Sequence, residues 1–264
     1  MSSAIPSDLA DALGDPMRLV TIIGRGHSGT RAISHTLSRS GVYMGIPQNS
    51  AGDLLPPDDI YEACRVIAKH VEYVGELRWD FSKLHTMVID PAFTRLITSY
   101  LASVIDSPGG RDGWRGWKIP ETTLCYPWIV RLLPDARYIH WVRDPRDCIL
   151  GQHLTDDMTR FGVPVPEAGD ESERRAISYL YQAQIMRDTP APANVVKVRF
   201  EDFVLDHPRT LARVGAMLGI ELRAVPVRPE AVGRWRTNPE HRELDILQPE
   251  LERLGYLEAA ENER

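Results

Sequence analysis

A glycine-rich loop near the N-terminus constrains the fold of this chain most strongly. The segment Gly24–Arg31 reads GRGHSGTR and follows the β-rich run RLVTII of residues 18–23. Residues 30–40 come next, with Ile33 and Leu37 spaced for one buried helix face. A glycine-rich turn between a strand and a helix lets main-chain N–H groups converge on an anion, and the helix N-terminus adds partial positive charge. The loop therefore predicts an α/β fold with an anion site.

The spacing of this loop resembles the Walker A motif of nucleoside-triphosphate enzymes, but the residues that act on the phosphates differ. Thr30 stands where those enzymes carry the lysine that reaches the β- and γ-phosphates. The later run YIHWV is followed by Arg143, where a Walker B strand offers an aspartate to magnesium. We therefore expect the loop to bind an anion without a metal. A P-loop kinase or a nucleotide-binding protein without transfer activity is the alternative interpretation.

Further along the chain, β-rich runs alternate with segments of helical periodicity, which implies parallel strands joined by right-handed crossovers. We expect a three-layer α/β domain over residues 18–264, with a central parallel sheet flanked by helices as in P-loop NTPases, and a tail over residues 1–17. The predicted strands are residues 18–23, 114–119, 137–142 and 194–200, and the predicted helices are residues 30–40, 60–71, 91–105, 124–133, 172–187 and 209–218, with a helix start near Pro145 and a short C-terminal helix.

Charge and cysteine content narrow the function classes. The formal net charge of −6 argues against a general nucleic-acid binder, which needs a basic face to neutralise phosphates. The three cysteines are widely spaced and odd in number, and the histidines lack ligand spacing, so we predict reduced thiols and no metal site. The chain shows neither a secretion signal nor an apolar run near the roughly 20 residues that a bilayer requires. A cytoplasmic protein without a membrane span is expected, and the sequence assigns no oligomeric state.

Four later segments add to the loop. They are WKIP at residues 117–120, LLPDARYIHWVRDPRD at 132–147, VRFEDF at 198–203 and GRWR at 233–236. In this order the segments closely resemble the superfamily of sulfotransferases that use 3′-phosphoadenosine 5′-phosphosulfate (PAPS), over residues 18–238. The stretch GVYMG at residues 41–45, with Asn49 and Asp53 after it, resembles a bacterial subgroup. The resemblance implies transfer of a sulfuryl group from PAPS, leaving the product PAP.

The resemblance also implies where the donor binds. In the superfamily the glycine-rich loop holds the phosphosulfate, the first arginine of the Arg-Asp-Pro motif binds the 3′-phosphate, and the GRWR element closes over the donor. Trp235 packs either on the adenine or on the protein core. The implied donor-binding residues are Arg25, Gly26, His27, Ser28, Gly29, Thr30, Arg31, Arg143, Arg234, Trp235 and Arg236.

Two positions depart from the superfamily pattern. His27 stands where a lysine or arginine usually stabilises the bridging oxygen as the S–O bond breaks. We expect His27 to take this role, with Arg25 as the second candidate. Gly151 stands where a serine usually contacts the 3′-phosphate, and Gln152 or His153 are the candidates to replace it.

The acceptor side is less defined. Pro120 occupies the position of the histidine base found in some members, so that option fails. An acceptor hydroxyl must lose a proton as it attacks, and Asp53 is the first candidate base, followed by Glu121 and Glu62. Lys118 is expected near the transferring sulfuryl group. The acceptor is expected to be a small molecule or a carbohydrate with a hydroxyl or an amine, in a pocket lined by residues 45–90 and 152–175.

Overall fold

The structure of the protein is a computed structural model that describes residues 18–106, 113–239 and 243–257. The predicted tail of residues 1–17 lies outside the described residues. Strands and helices alternate along the described part of the chain. The strands are β1 (Leu19–Ile23), β2 (Glu72–Gly75), β3 (Arg78–Asp80), β4 (Arg115–Lys118), β5 (Arg137–Val142) and β6 (Val195–Arg199). The helices are α1 (Thr30–Arg39), α2 (Asp58–Ala68), α3 (Ser82–Thr86), α4 (Pro91–Tyr100), α5 (Ala102–Ile105), α6 (Tyr126–Leu132), α7 (Pro145–Cys148), α8 (Glu171–Asp188), α9 (Phe200–Leu205), α10 (His207–Leu218) and α11 (Gln248–Leu254).

Four of these strands form a parallel sheet in the order β4–β1–β5–β6. Its two faces are buried against different helices, because side chains alternate along each strand. Val20 and Ile22 of β1 pack with α1 and α10, whereas Leu19 and Ile23 pack with α2, α4, α6 and α8. The predicted three-layer α/β fold with a central parallel sheet is confirmed.

Local signals start and stop several helices where the sequence predicts. The side chain of Asp144 accepts a hydrogen bond from the N–H of Arg146 at 2.9 Å, and Pro145 occupies the first helical turn of α7. Gly219 ends α10 in the left-handed conformation, with φ of 68°.

Elsewhere the element boundaries differ from those predicted. The helix predicted over residues 91–105 is interrupted at Leu101, and the helix predicted from residue 124 begins at Tyr126, after a 3₁₀ turn over Pro120–Thr123. Strands β2 and β3 pair as an antiparallel hairpin in a stretch to which the sequence assigned no strand. Apolar periodicity reads through a short irregular turn, so it does not locate such interruptions.

The register of the sheet brings the carboxyl ends of its strands to one edge. Ile22 lies beside Lys118, Ile23 beside His140, and Val142 beside Arg199. From β1 the chain forms β4 on one side and later β5 on the other, so β1 lies at a switch in strand order. In open α/β sheets ligands bind at the carboxyl ends of strands beside such a switch. The loop after β1 therefore lies where a ligand is expected.

In the described part of the chain, every helix is too short or too polar to cross a bilayer. The three cysteines are buried free thiols, and the Sγ atoms of Cys64 and Cys125 lie 3.4 Å apart. Burial raises the pKa of the Cys148 thiol to about 12, so this side chain stays protonated at neutral pH.

Candidate active site

The glycine-rich loop turns sharply between β1 and α1. His27 and Gly29 adopt left-handed conformations, with φ of 60° and 92°, and the N–H of Ser28 donates to the carbonyl of Arg25 at 3.3 Å. Left-handed residues within a turn are typical of the concave N–H arrangements that bind anions. No side chain caps the N-terminus of α1, so its first N–H groups have no partner within the helix. The predicted anion site thus has the main-chain geometry that it requires.

Arg25 braces this loop from the protein interior. Its side chain is only 3% exposed. The guanidinium donates to the carbonyl of Cys148 at 2.7 Å and to that of Gly26 at 3.0 Å, and it forms an ion pair with buried Asp156. Its Nε has no hydrogen-bond partner among the described residues, but Arg25 does not line the main cavity, so the placement favours a positioning role over the predicted contact with a donor.

Arg143 follows β5 and reaches back to the same loop. Its Nη1 donates to the carbonyl of His27 at 3.2 Å, and its guanidinium carbon lies 4.2 Å from the centre of the Phe200 ring. Its Nη2 donates to Asp147 at 2.9 Å. The Nε of Arg143 is buried without a hydrogen-bond partner among the described residues. A buried donor without a partner is costly, and an anionic ligand would supply the missing acceptor.

Asp147, which is fully buried, connects Arg143 to the predicted closing element. Besides Arg143, its carboxylate accepts from the N–H groups of Gly233 and Trp235, each at 2.9 Å. One carboxylate therefore positions both the arginine and the turn at residues 233–236.

Of the three predicted residues of that turn, only Arg234 lines the main cavity, and Trp235 and Arg236 contact each other. Trp235 has the guanidinium carbon of Arg146 at 3.7 Å from its ring centre and that of Arg236 at 4.7 Å. Of the sequence's two options for Trp235, packing within the protein is the one these contacts favour. Arg228 lines the cavity as well, although the sequence gave no reason to select it.

Lys118 and Asp53 form an ion pair across the opposite side of the site. The Nζ of Lys118 lies 2.6 Å from Oδ1 of Asp53 and 2.9 Å from the carbonyl of Ala51. The N–H of Leu54 donates to the carbonyl of Lys118 at 3.0 Å, which anchors the loop carrying Asp53 to the end of β4. Asn49 donates to Oδ2 of Asp53 at 2.8 Å. The structure thus joins the two residues predicted separately for sulfuryl binding and proton transfer.

The other two candidate bases lie in different surroundings. Glu121 is 2% exposed, and burial raises its pKa to about 7, an effect that the nearby charge of Asp53 increases. Glu62 instead pairs with Arg65 on an exposed part of α2. Burial lowers the pKa of Lys118, and the ion pair with Asp53 opposes this change. Glu121 is therefore the second titratable carboxyl beside the Lys118–Asp53 pair.

His27 and His153 bring two imidazole rings together over the loop. Their ring centres lie 5.8 Å apart in an edge-on arrangement. Burial lowers the pKa of both residues, to about 4 for His153. The sequence considered His153 only as a replacement for the missing serine at position 151, so its place beside the glycine-rich loop is new.

A single cavity of about 1010 Å³ joins these groups. Its volume is at the upper end of the roughly 300–1,000 Å³ typical of ligand pockets. The histidine side chain at position 35, one turn after Arg31 on α1, also faces it. The sequence-predicted residues that line this cavity are Gly26, His27, Gly29, Thr30, Arg31, Asp53, Lys118, Arg143 and Arg234.

Comparison with known proteins decides the family. A model of the sulfotransferase family matches residues 20–224 of the chain. The chain belongs to the sulfotransferase family. No curated protein sequence matches it significantly.

Two solved sulfotransferase domains share the fold of this sulfotransferase. The domain from the curacin biosynthetic pathway has a TM-score of 0.55 and 12% sequence identity, covering 91% of this chain and 98% of that domain. The domain from the olefin synthase of Synechococcus PCC 7002 has a TM-score of 0.52 and 13% identity, covering 91% of this chain and 95% of that domain. At these identities the likeness shows the fold alone, so the roles of individual residues rest on this sulfotransferase's own geometry.

Among residues 18–106, 113–239 and 243–257 of the sulfotransferase, no group of three or more His, Cys, Asp or Glu side chains is arranged to hold a metal ion. The cavity instead gathers cationic side chains at the end of a parallel sheet. Arg31 lies at the start of α1, Arg143 after β5, and Arg228 and Arg234 in the late segment. These cations suit a ligand that carries several negative charges.

Proposed function

We propose that this sulfotransferase transfers a sulfuryl group from PAPS to a hydroxyl or an amine of a small-molecule or carbohydrate acceptor. The observation that carries the proposal is one cavity lined both by the glycine-rich loop after β1 and by Arg143 after β5, two separate elements suited to bind an anion. PAPS has a 5′-phosphosulfate and a 3′-phosphate, so its recognition requires two such elements on one edge of a sheet.

The residues present fit this donor. Main-chain N–H groups from Gly26 to Arg31, together with the hydroxyl group of Thr30, would hold the phosphosulfate. The predicted hydroxyl of Ser28 instead donates to the carbonyl of Arg25 and does not line the cavity. Arg143, with its partnerless Nε–H, and Arg234 would hold the 3′-phosphate, because guanidinium groups match phosphate geometry. Arg25, Trp235 and Arg236 would keep these groups in position through the contacts they make within the protein.

The transfer requires an acceptor beside the Lys118–Asp53 pair. The acceptor oxygen, or nitrogen, attacks sulfur in line with the bridging oxygen, and Asp53 takes the proton that the acceptor releases. The new S–O or S–N bond forms as the bond from sulfur to the bridging oxygen breaks, and PAP leaves with that electron pair. Lys118 would neutralise the charge that develops on the sulfuryl oxygens, and His27 is the proposed hydrogen-bond donor to the bridging oxygen.

Ligand-induced thermal shifts test the donor. We expect PAP and PAPS to raise the melting temperature, because a ligand that binds only the folded state stabilises it. ATP with magnesium is expected to have little effect. Stabilisation by ATP with magnesium but not by PAP would overturn the proposal and favour a nucleotide-dependent kinase.

A pair of arginine variants localises the binding site. Arg31 and Arg95 are both exposed on helices, but only Arg31 lies on the cavity. Arg31→Ala is expected to weaken PAP binding about tenfold, the typical loss of a charged hydrogen bond, and Arg95→Ala to leave it unchanged. Release of PAP from PAPS in the presence of phenols, sugars or amines then identifies the acceptor.

A further inference from the structure

The rings of His27 and His153 occupy the space that side chains at two glycines would need. A Cβ atom on Gly151 would lie 2.8 Å from Nδ1 of His27, and a Cβ atom on Gly26 would lie 2.1 Å from Cγ of His153. Gly26 and Gly151 do not have positive φ, so the tight packing, not the backbone conformation, requires glycine at both positions. The ring of His153 therefore packs on Gly26, and the ring of His27 packs on Gly151. Each of the two segments contributes one histidine and one glycine to this interlocked contact.

This packing connects the two departures from the superfamily pattern, His27 and Gly151, which are far apart in the sequence. The histidine at position 27 and the glycine at position 151 are in contact, and a serine at 151 would collide with the ring. His27 and Gly151 therefore pack as one unit. The ring of His153, from the same segment as Gly151, also contacts the ring of His27.

The proton on the His153 ring has a defined position. Nδ1 accepts a hydrogen bond from the N–H of Thr155 at 3.2 Å, so it carries no proton in the neutral ring, and Nε2 carries it instead. The carboxylate of Asp156 accepts from the N–H of His153 at 2.7 Å, which completes a capping box and holds the residue in place. Because burial lowers the pKa of His153 to about 4, the ring is neutral at neutral pH.

The Nε2–H of His153 is therefore a fixed donor on the wall of the cavity. Among the described residues, no acceptor is within hydrogen-bonding distance of this atom, and the side chain lines the same cavity as Gly26, Asp53 and Lys118.

We propose that His153 is a further sulfuryl-binding residue of this sulfotransferase, whose Nε2–H donates to a sulfuryl oxygen beside the His27 ring. The inference rests on the proposed function, since it takes PAPS as the donor. A neutral N–H adds a hydrogen bond without a further positive charge, beside the Lys118 ammonium that is already assigned to the sulfuryl oxygens. Gly26 and Gly151 are small because they seat the two rings.

Two substitutions at position 153 separate hydrogen-bond donation from helix capping. His153→Asn keeps a side chain that caps the turn, because asparagine is a preferred N-cap residue, but removes the donor at the Nε2 position. The longer side chain of His153→Gln places an amide N–H near the position of Nε2 but cannot cap the turn as asparagine does. A residue that serves only to cap the turn would tolerate asparagine and lose stability with glutamine.

Calorimetric titration with PAPS and with PAP gives the readout. We expect His153→Asn to bind PAPS about tenfold more weakly, to bind PAP as the wild type does, and to keep its melting temperature. We expect His153→Gln to retain more of the preference for PAPS over PAP while melting at a lower temperature. Unchanged PAPS affinity in His153→Asn, or an equal loss for PAPS and PAP, would overturn the assignment to the sulfuryl group.

Failure of the proposed function has a different signature, because the wild-type protein would then bind neither PAPS nor PAP. Gly151→Ala provides a check on the interlock with the protein otherwise intact. Its Cβ is expected to displace the His27 ring and to weaken PAPS binding, and adding His27→Ala is expected to make the change at 151 neutral. Equal effects of Gly151→Ala with and without the His27 ring would overturn the interlock.

Discussion

In the donor half of the cavity (the loop at residues 24–31, Arg143 and the turn at residues 233–236), each buried arginine pairs with a carboxylate that is withdrawn from solvent. Asp156 pairs with Arg25 and is 2% exposed, and Asp147 pairs with Arg143 and is 0% exposed. In the acceptor half (Asp53 and Lys118), the carboxylate that pairs with Lys118 is 14% exposed and lines the cavity.

The ion pairs of the donor half are part of the protein's framework, whereas the Lys118–Asp53 pair of the acceptor half can exchange its partners for a ligand. The carboxylates of the donor half are permanent partners, so binding a donor does not require those ion pairs to break. In the acceptor half, the ion pair consists of the two groups that we assign to chemistry, and an acceptor can insert between them. We therefore expect substitutions in the donor half to reduce stability and those in the acceptor half to reduce turnover.

The largest expected effect follows from Asp147→Ala. The change leaves Arg143 buried without its carboxylate and removes the acceptor of two main-chain N–H groups at residues 233 and 235. We expect a loss of about 3–5 kcal/mol in the free energy of unfolding, the typical cost of breaking a buried pair, measured by urea denaturation. The control is Glu76→Ala at the exposed pair with Arg78, where the expected change is within about 0.5 kcal/mol. A loss at Asp147 no larger than that of the control would contradict the scaffold role of the donor half.

The next effect is expected on turnover. Asp53→Asn keeps a hydrogen-bonding side chain beside Lys118 but cannot accept the acceptor proton, so we expect the rate of PAP release with an active acceptor to fall about 100-fold or more. PAP affinity and melting temperature are expected to stay near those of the wild type. Glu62→Gln, on the exposed part of α2, is the matched control and should be fully active. Full activity of Asp53→Asn together with an inactive Glu121→Gln would move the base to Glu121.

The smallest effect concerns the pH dependence of stability. Glu121 has a pKa of about 7 in the folded protein, above its ordinary value of 4.5, because burial disfavours the charged form. The folded state therefore holds the proton more tightly, and this stabilisation is present below pH 4.5 and is lost as the pH rises through 7. Relative to Glu121→Gln, we expect the wild type to lose about 1–3 kcal/mol of unfolding free energy between pH 5 and 8. Parallel stability curves for the two proteins would show that Glu121 is not held in its protonated form.

The sequence by itself predicted the four strands of the parallel sheet in their order along the chain, and it predicted an anion site in the loop after the first of them. Three features depend only on neighbouring residues: the strand before Gly24, the glycine-rich turn after it, and the proline start of α7. Local propensity and main-chain geometry act over a few positions, so these features can be read from the sequence. The arginine at position 143 was placed correctly at a strand end for the same reason.

Only the tertiary structure decided which side chains face the cavity and which groups pair with the buried arginines. Arg25 meets a carboxylate 131 positions away, Arg143 meets a carbonyl 116 positions away, and His153 packs on a glycine in the first loop. A buried charge must find a partner because its desolvation is costly, but the chain can supply that partner from any segment that the fold brings near. The prediction of an anion site at residues 24–31 came from the loop's own residues, whereas the contact between the His27 and His153 rings depends on a segment more than 120 residues later.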